Sequence, residues 1–182
     1  VTGPSFPGTF EKYCASVIAR WQARKEAGKL QDLGKSLDTL GLTWKARARR
    51  VSDTNVELLV GRLPRGARGG AYDVVSVADV GFGVSQTLPV IVALLAARPG
   101  QLVYLEQPEI HLHPNAESRM AHLLANAAKR GVTVVAETHS SLLLRGVQTL
   151  VANGSLEPSL VKLHWFKRRS QDGTTEIYSA DL

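Results

Sequence analysis

Three short runs in this 182-residue chain put chemically able side chains directly after apolar stretches or at the start of one. Leu102 to Leu105 is followed by Glu106-Gln107-Pro108-Glu109, and Val132 to Ala136 by Glu137-Thr138-His139-Ser140. Ligands of open parallel sheets sit at the carboxyl ends of the strands. A carboxylate there suits a hydrated Mg²⁺ or an attacking water, and a histidine there reaches a terminal phosphate. The third run, Asp79-Val80-Gly81-Phe82-Gly83-Val84-Ser85-Gln86, leads into a helix and offers backbone N–H groups and a helix N-terminus to an anion. Taken singly, each run also reads as a strand-end or helix cap. Their order is more informative: a glycine-rich helix start, an apolar strand ending in an acid about 20 residues on, and a strand ending in histidine about 30 residues after that.

Two further groups compete for attention. His111-Leu112-His113, with Glu106, Glu109, His122 and His139 near in sequence, offers an H-x-H pair to a transition metal. In an irregular loop, however, residues i and i+2 need not converge on one ion. Between Trp44 and Arg68 lie Lys45, Arg47, Arg49, Arg50, Arg62, Arg65 and Arg68 against only Asp53 and Glu57, a local excess of +5. That stretch fits a phosphate backbone. It equally fits a solvated strand face, since no aromatic residues alternate with the charges for base stacking. Cys14 falls on an apolar stripe and reads as a core residue. No serine-hydrolase elbow, CxxC pair or HExxH occurs.

The elements that must position these groups follow from periodicity. Phe10, Tyr13, Cys14, Val17, Ile18 and Trp21 recur at helical spacing after a loose leader, Thr2 to Gly8, and Gly28 is expected to stop that helix. Leu30, Leu33, Leu37 and Leu40 predict a second helix closed by Gly41. From Trp44 the period becomes two, with Lys45, Arg47 and Arg49 on one strand face. Strands are expected at Val56 to Leu63 and Tyr72 to Val77, joined by a mobile Arg65 to Gly70 loop. Beyond residue 80 the order is helix (about Ser85 to Ala97), strand (Leu102 to Leu105), helix (Pro114 to about Lys129), strand (Val132 to Ala136) and helix (from Ser140). Such alternation implies an α/β fold, a mainly parallel sheet flanked by helices, with a small antiparallel β element. His164 to Arg168 and Thr174 to Tyr178 predict a terminal strand pair about Asp172-Gly173.

Composition narrows the classes. Hydrophobic residues make up 44% and charged residues 21%, which excludes collagen-like, disulfide-scaffold and disordered chains. Apolar runs are too short to span a bilayer, and no signal segment opens the chain, so no membrane partner is expected. One cysteine fits a reducing, cytoplasmic setting. The net charge of +6 favours anionic partners. The first residue is Val1 and the only methionine is Met120, so the chain is expected to be a fragment of something longer.

The runs GFGVSQTLP, LVYLEQPEIHLHP and VVAETHSSLLL resemble the C-terminal half of an ABC-type ATPase head, a P-loop NTPase. They resemble in particular the predicted bacterial ATPases related to the overcoming-lysogenisation-defect, RecF and SMC groups. The resemblance covers about Val74 to Val151. It implies that Gly81, Gly83, Ser85 and Gln86 form the signature loop that contacts the γ-phosphate held by an opposite subunit. It makes Leu102 to Glu106 the Walker B strand, with Glu106 in the metal-associated position. His111, Leu112, His113 and Pro114 fall in the D-loop region, and His139 matches the switch histidine. The expected layout is one partial domain over 1–182: a helical lead-in (1–43), a basic β element (44–77), the signature, Walker B, D-loop and H-loop core (78–152), and a terminal strand pair (153–182).

Two departures qualify the resemblance. No G-x-x-x-x-G-K-[S/T] occurs, so the loop that cradles phosphates is absent and the fragment alone is expected to be inactive. In the family that loop lies N-terminal to the signature. Gln107 stands where transporter-type ATPases place the glutamate base; a carboxamide orients water but accepts no proton, so slow turnover is expected, with Glu109 supplying the carboxylate. The expected function of the complete protein is thus an ATP- and Mg²⁺-dependent switch. Its partners would be ATP, the missing N-terminal lobe, a second copy through shared nucleotide, and DNA. The alternative is a catalytically decayed module that binds nucleic acid through Lys45, Arg47, Arg49 and Arg50.

Overall fold

The computed structural model describes residues 10–52, 55–62 and 73–182. A 3-10 turn, Phe10–Tyr13, runs into helix α1 (Cys14–Ala23), which buries Cys14, Val17, Ile18 and Trp21 at the expected spacing. Gly28 does not stop it. Lys25 ends the helix instead, at φ 54, with its N–H on the Gln22 carbonyl (3.1 Å) and the Glu26 N–H on the Trp21 carbonyl (2.9 Å). This is the closed C-terminal turn in which one residue takes a left-handed conformation. The two hydrogen bonds offset the strain of putting lysine there. Gly28 lies in the first turn of helix α2 (Ala27–Thr39). The same turn closes α2 on Gly41 (φ 69), as the sequence suggests, with Leu42 N–H on the Leu37 carbonyl at 3.1 Å.

Strands β1 (Ala46–Arg50), β2 (Val56–Gly61) and β3 (Val74–Ser76) form an antiparallel sheet in that order. β2 is central and buries both Leu59 and Val60. Helix α1 packs on this sheet, and the Gln22 Oε1 accepts the Ala48 N–H at 2.6 Å. The expected Arg65 to Gly70 loop, Leu63 and Tyr72, and the patch residues Asp53, Arg65 and Arg68, lie outside the described residues. Helix α3 (Phe82–Ala96) starts three residues earlier than the periodicity predicts, because Gly81 in extended backbone acts as its N-cap and accepts the Val84 N–H at 3.1 Å.

Strand β4 (Leu102–Glu106), helix α4 (Pro114–Lys129), strand β5 (Thr133–Glu137) and helix α5 (Ser141–Ala152) follow, and β4 and β5 pair in parallel with Glu106 opposite Glu137. The observed class is mixed α/β with a parallel sheet, helices and small antiparallel elements. The core gathers α1 to α5 around the inward residues of β4, chiefly Leu105. α4 and α5 cross closely at Gly146, where an added Cβ would lie 2.5 Å from the Ser118 carbonyl oxygen. The chain ends in a hairpin of β6 (Lys162–Arg168) and β7 (Thr175–Asp181), each strand longer than predicted, around Gly173 at φ 73. Trp165 opposes Tyr178 and Phe166 opposes Ile177, and all four are exposed. Among the described residues no helix is long and apolar enough to cross a membrane.

Candidate nucleotide site

The parallel strands present two unlike faces. Side chains alternate along a strand, so Val103 and Leu105 turn inward while Leu102 (64% exposed), Tyr104 (58%) and Glu106 turn out. On β5 the outward set is Thr133, Val135 and Glu137. Parallel sheets normally carry cover on both faces. Among the described residues the outer face is open, apolar along the strands and acidic at their carboxyl ends.

Glu106 and Glu137 are neighbours on that face, and the Tyr104 hydroxyl donates to Glu137 Oε2 at 3.1 Å. The Glu137 carboxylate holds the Tyr104 phenol above its usual range by this hydrogen bond, with its charge adding to the effect. Glu106 is exposed, as an acid serving a hydrated cation must be. A groove of about 720 Å³ beside α3 and β4 has Gln86, Pro89, Val90, Val103 and Glu106 among its lining residues.

The chain leaves β4 through a strained turn. Gln107 has φ 43 and His111 has φ 68. Non-glycine residues take such angles only where the surroundings hold them. Three backbone bonds do so: Gln107 N–H to the Glu137 carbonyl (2.8 Å), Ile110 N–H to Gln107 (3.0 Å) and Leu112 N–H to Glu109 (3.0 Å). Glu109 is 7% exposed, and its Oε1 accepts from the Thr138 hydroxyl. The Thr138 oxygen in turn accepts the Ser140 N–H at 2.9 Å, and the Ser140 hydroxyl donates to Glu117 Oε2 at 2.6 Å and caps α5 through the Leu143 N–H. His139 stands between these two anchored residues and is exposed.

The helix start is also packed against this turn. A Cβ on Gly83 would lie 3.2 Å from the His111 carbonyl oxygen, and the Phe82 and His111 rings are 5.8 Å apart. Gly81, Phe82 and Gln86 face solvent, while the Ser85 hydroxyl donates to the Phe82 carbonyl at 3.2 Å. His113 is the N-cap of α4, its Nδ1 accepting the Asn115 N–H at 3.4 Å. His111 and His113 therefore have separate local tasks, and among the described residues no three His, Cys, Asp or Glu converge as a metal centre.

The basic strand lies elsewhere. Arg47 and Arg49 share its exposed face, Arg49 is paired with Glu57 at 2.6 Å, and Arg50 donates to the Ser52 carbonyl. Lys45 sits 5.5 Å from the centre of the Trp44 ring. Sequence reasoning gave no role to Tyr104 or Glu117, and it named Thr138 and Ser140 only as members of the run after β5. Ser140 before an apolar run carried a capping signal. Nothing in sequence spacing joins Glu117 to Ser140.

The family described as "AAA domain, putative AbiEii toxin, Type IV TA system" matches residues 23–145. The chain belongs to this AAA domain family. It is accordingly an ATPase-type, nucleotide-binding domain, and its fold is that of SMC heads. One similar structure comes from work on ATP-driven dimerization and DNA-stimulated activation of SMC ATPases: 13% identity, TM-score 0.59, with 86% of each chain covered. Another is an Smc head bound to the C-winged helix domain of ScpA, 12% identical with TM-score 0.62, covering 94% of this chain and 50% of that one. A third, the Smc head with an extended coiled coil bound to the C-terminal domain of ScpA from Pyrococcus furiosus, is 12% identical with TM-score 0.59, covering 87% of this chain and 36% of that one. No curated protein matches the chain.

Proposed function

We propose that this chain is the signature and Walker B half of an ATP-hydrolysing AAA head, completed by a lobe that carries the phosphate-cradling loop and by a second head across the nucleotide. The observation that carries this reading is the open outer face of β4 and β5. Leu102, Tyr104 and Val135 are apolar surface of the kind a parallel sheet buries, and the face ends in Glu106 and Glu137, where nucleotide chemistry belongs. No phosphate-loop motif occurs in the 182 residues, so the cradle would come from outside them.

Within the site, Glu106 would hold hydrated Mg²⁺ through its exposed carboxylate, and the bound metal would neutralise charge on the phosphates. Gln107 orients the attacking water, and His139 faces the terminal phosphate. Gly81, Gly83, Ser85 and Gln86 open α3 with the N–H groups of a helix start toward the nucleotide of the second head. His113 holds the start of α4 beside them. A site divided between two heads makes ATP the agent of dimerisation. Sedimentation of the complete protein with and without ATP, alongside phosphate release, tests this. ATP-dependent dimers whose turnover is lost in Glu106→Gln support the reading, and hydrolysis indifferent to that change overturns it.

A second reading gives Lys45, Arg47, Arg49 and Arg50 a nucleic-acid backbone to hold. It is favoured by the outward face of β1, where Arg47 is exposed beside Arg49. Neutralising Arg47 and Arg49 should then weaken DNA binding and flatten its salt dependence by about one slope unit for each phosphate left without its cation.

A further inference from the structure

We propose that Glu109 is a positioning residue that, through Thr138, holds the water-orienting turn at Gln107 and the histidine turn at His139 in one fixed relation; this rests on the ATPase reading above. Glu109 follows β4 and Thr138 follows β5, so their hydrogen bond is a side-chain tie across the carboxyl ends of the two strands. It lies beyond the last strand pair, Glu106 with Glu137, and beyond the last backbone bond between them, Gln107 N–H to the Glu137 carbonyl.

Three observations separate this role from that of a proton acceptor. Glu109 is buried beneath the turn, whereas Glu106 is exposed on the outer face. Its second oxygen, Oε2, is buried with no hydrogen-bond partner among the described residues, and Oε1 is taken by the Thr138 hydroxyl. The tie also continues: the Thr138 oxygen accepts the Ser140 N–H, and Ser140 binds Glu117 on α4 and caps α5. His139 is thereby anchored on both sides while the residue itself stays exposed. Gln107, strained at φ 43, accepts the Ile110 N–H within the same turn, where the Glu109 carbonyl accepts the Leu112 N–H. A displacement of about 1 Å in such a pair is enough to cost on the order of 100-fold in rate.

The test is a set of variants of the complete ATPase: Thr138→Val, Thr138→Ser, Glu109→Ala and Glu109→Gln. The expected result is a fall in kcat of roughly 10- to 100-fold for Thr138→Val and for Glu109→Ala, with KM for ATP within about twofold. Thr138→Ser keeps the hydroxyl and Glu109→Gln keeps an accepting oxygen, so both recover most of the rate. The double variant Thr138→Val/Glu109→Ala is no slower than either single change, because one link is lost in each. If Glu109→Gln is as inactive as Glu106→Gln while Thr138→Val is silent, Glu109 is a proton acceptor and the proposal falls. If the wild-type protein hydrolyses no ATP, the ATPase reading fails by itself. The tie is then judged by amide exchange at Ile110, Leu112 and Ser140: faster exchange in Thr138→Val but not in Thr138→Ser upholds it, and unchanged exchange overturns it.

Discussion

The two faces of the β4–β5 pair differ in what they need from the rest of the protein. The inner face sets Val103, Leu105, Val134 and Ala136 against helices of this chain and is finished. The outer face sets Leu102, Tyr104 and Val135 in the open, beside the Glu106 and Glu137 carboxylates. An apolar strand face that ends in acids is unsuited to water along its length and suited to a charged ligand at its end. The contrast teaches that stability and chemistry are divided between opposite sides of the same five-residue strands. The terminal hairpin repeats the outer condition, with Trp165 69% and Phe166 65% exposed.

This division predicts opposite outcomes for neighbouring residues. The largest effect belongs to the outer end: on the proposed reading, Glu106→Gln should cut ATP turnover by on the order of 100-fold or more, since metal-held charge is worth several kcal/mol in the transition state. Its urea-unfolding midpoint should stay put, because the carboxylate is exposed. The inner face should answer the other way. Leu105→Ala should cost about 3 kcal/mol of stability by urea unfolding, against under about 0.5 for the exposed Leu102→Ala. Equal losses would erase the distinction between faces.

Next in size is the helix pair behind the inner face. Gly146→Ala should cost about 2 kcal/mol, because its methyl group would meet the backbone of Ser118 and not a side chain that can move away. The last effect concerns Cys14 and shows only at alkaline pH. Burial pushes the Cys14 thiol up from 9.0 to about 12, so the folded protein should resist alkylation at pH 8. The neutral thiol is favoured in the folded state. Its contribution is therefore complete below about pH 9 and lost as the pH rises toward 12, and Cys14→Val should lose less stability over that window than the parent.

Much of this was legible in the chain. The stripes Cys14, Val17, Ile18, Trp21 and Leu33, Leu37 became buried helix faces because helical period alone puts them on one side. The alternation after residue 80 became a parallel pair because strand, helix, strand leaves that option for short connections. Local conformation was harder. Gly28 looked like a stop, yet Lys25 supplies the left-handed turn, since two hydrogen bonds outweighed the residue preference. Of the proposed site, Glu106 and His139 could be picked out as candidates because strand ends are visible as apolar runs followed by polar residues. Their supports could not: Thr138 meets Glu109 across 29 residues and Glu117 meets Ser140 across 23, and no local period encodes such pairs.

By itself, then, the sequence determined the order of elements, the buried stripe of each helix and the three motif runs, all of which depend on near neighbours along the chain. Only the tertiary structure decided that Glu109 is buried while Glu106 is exposed, though they stand three residues apart, that Gly83 and Gly146 are places of backbone contact, and that one face of the parallel pair is left bare. Those properties belong to what packs against a residue, and that is set by the meeting of distant segments.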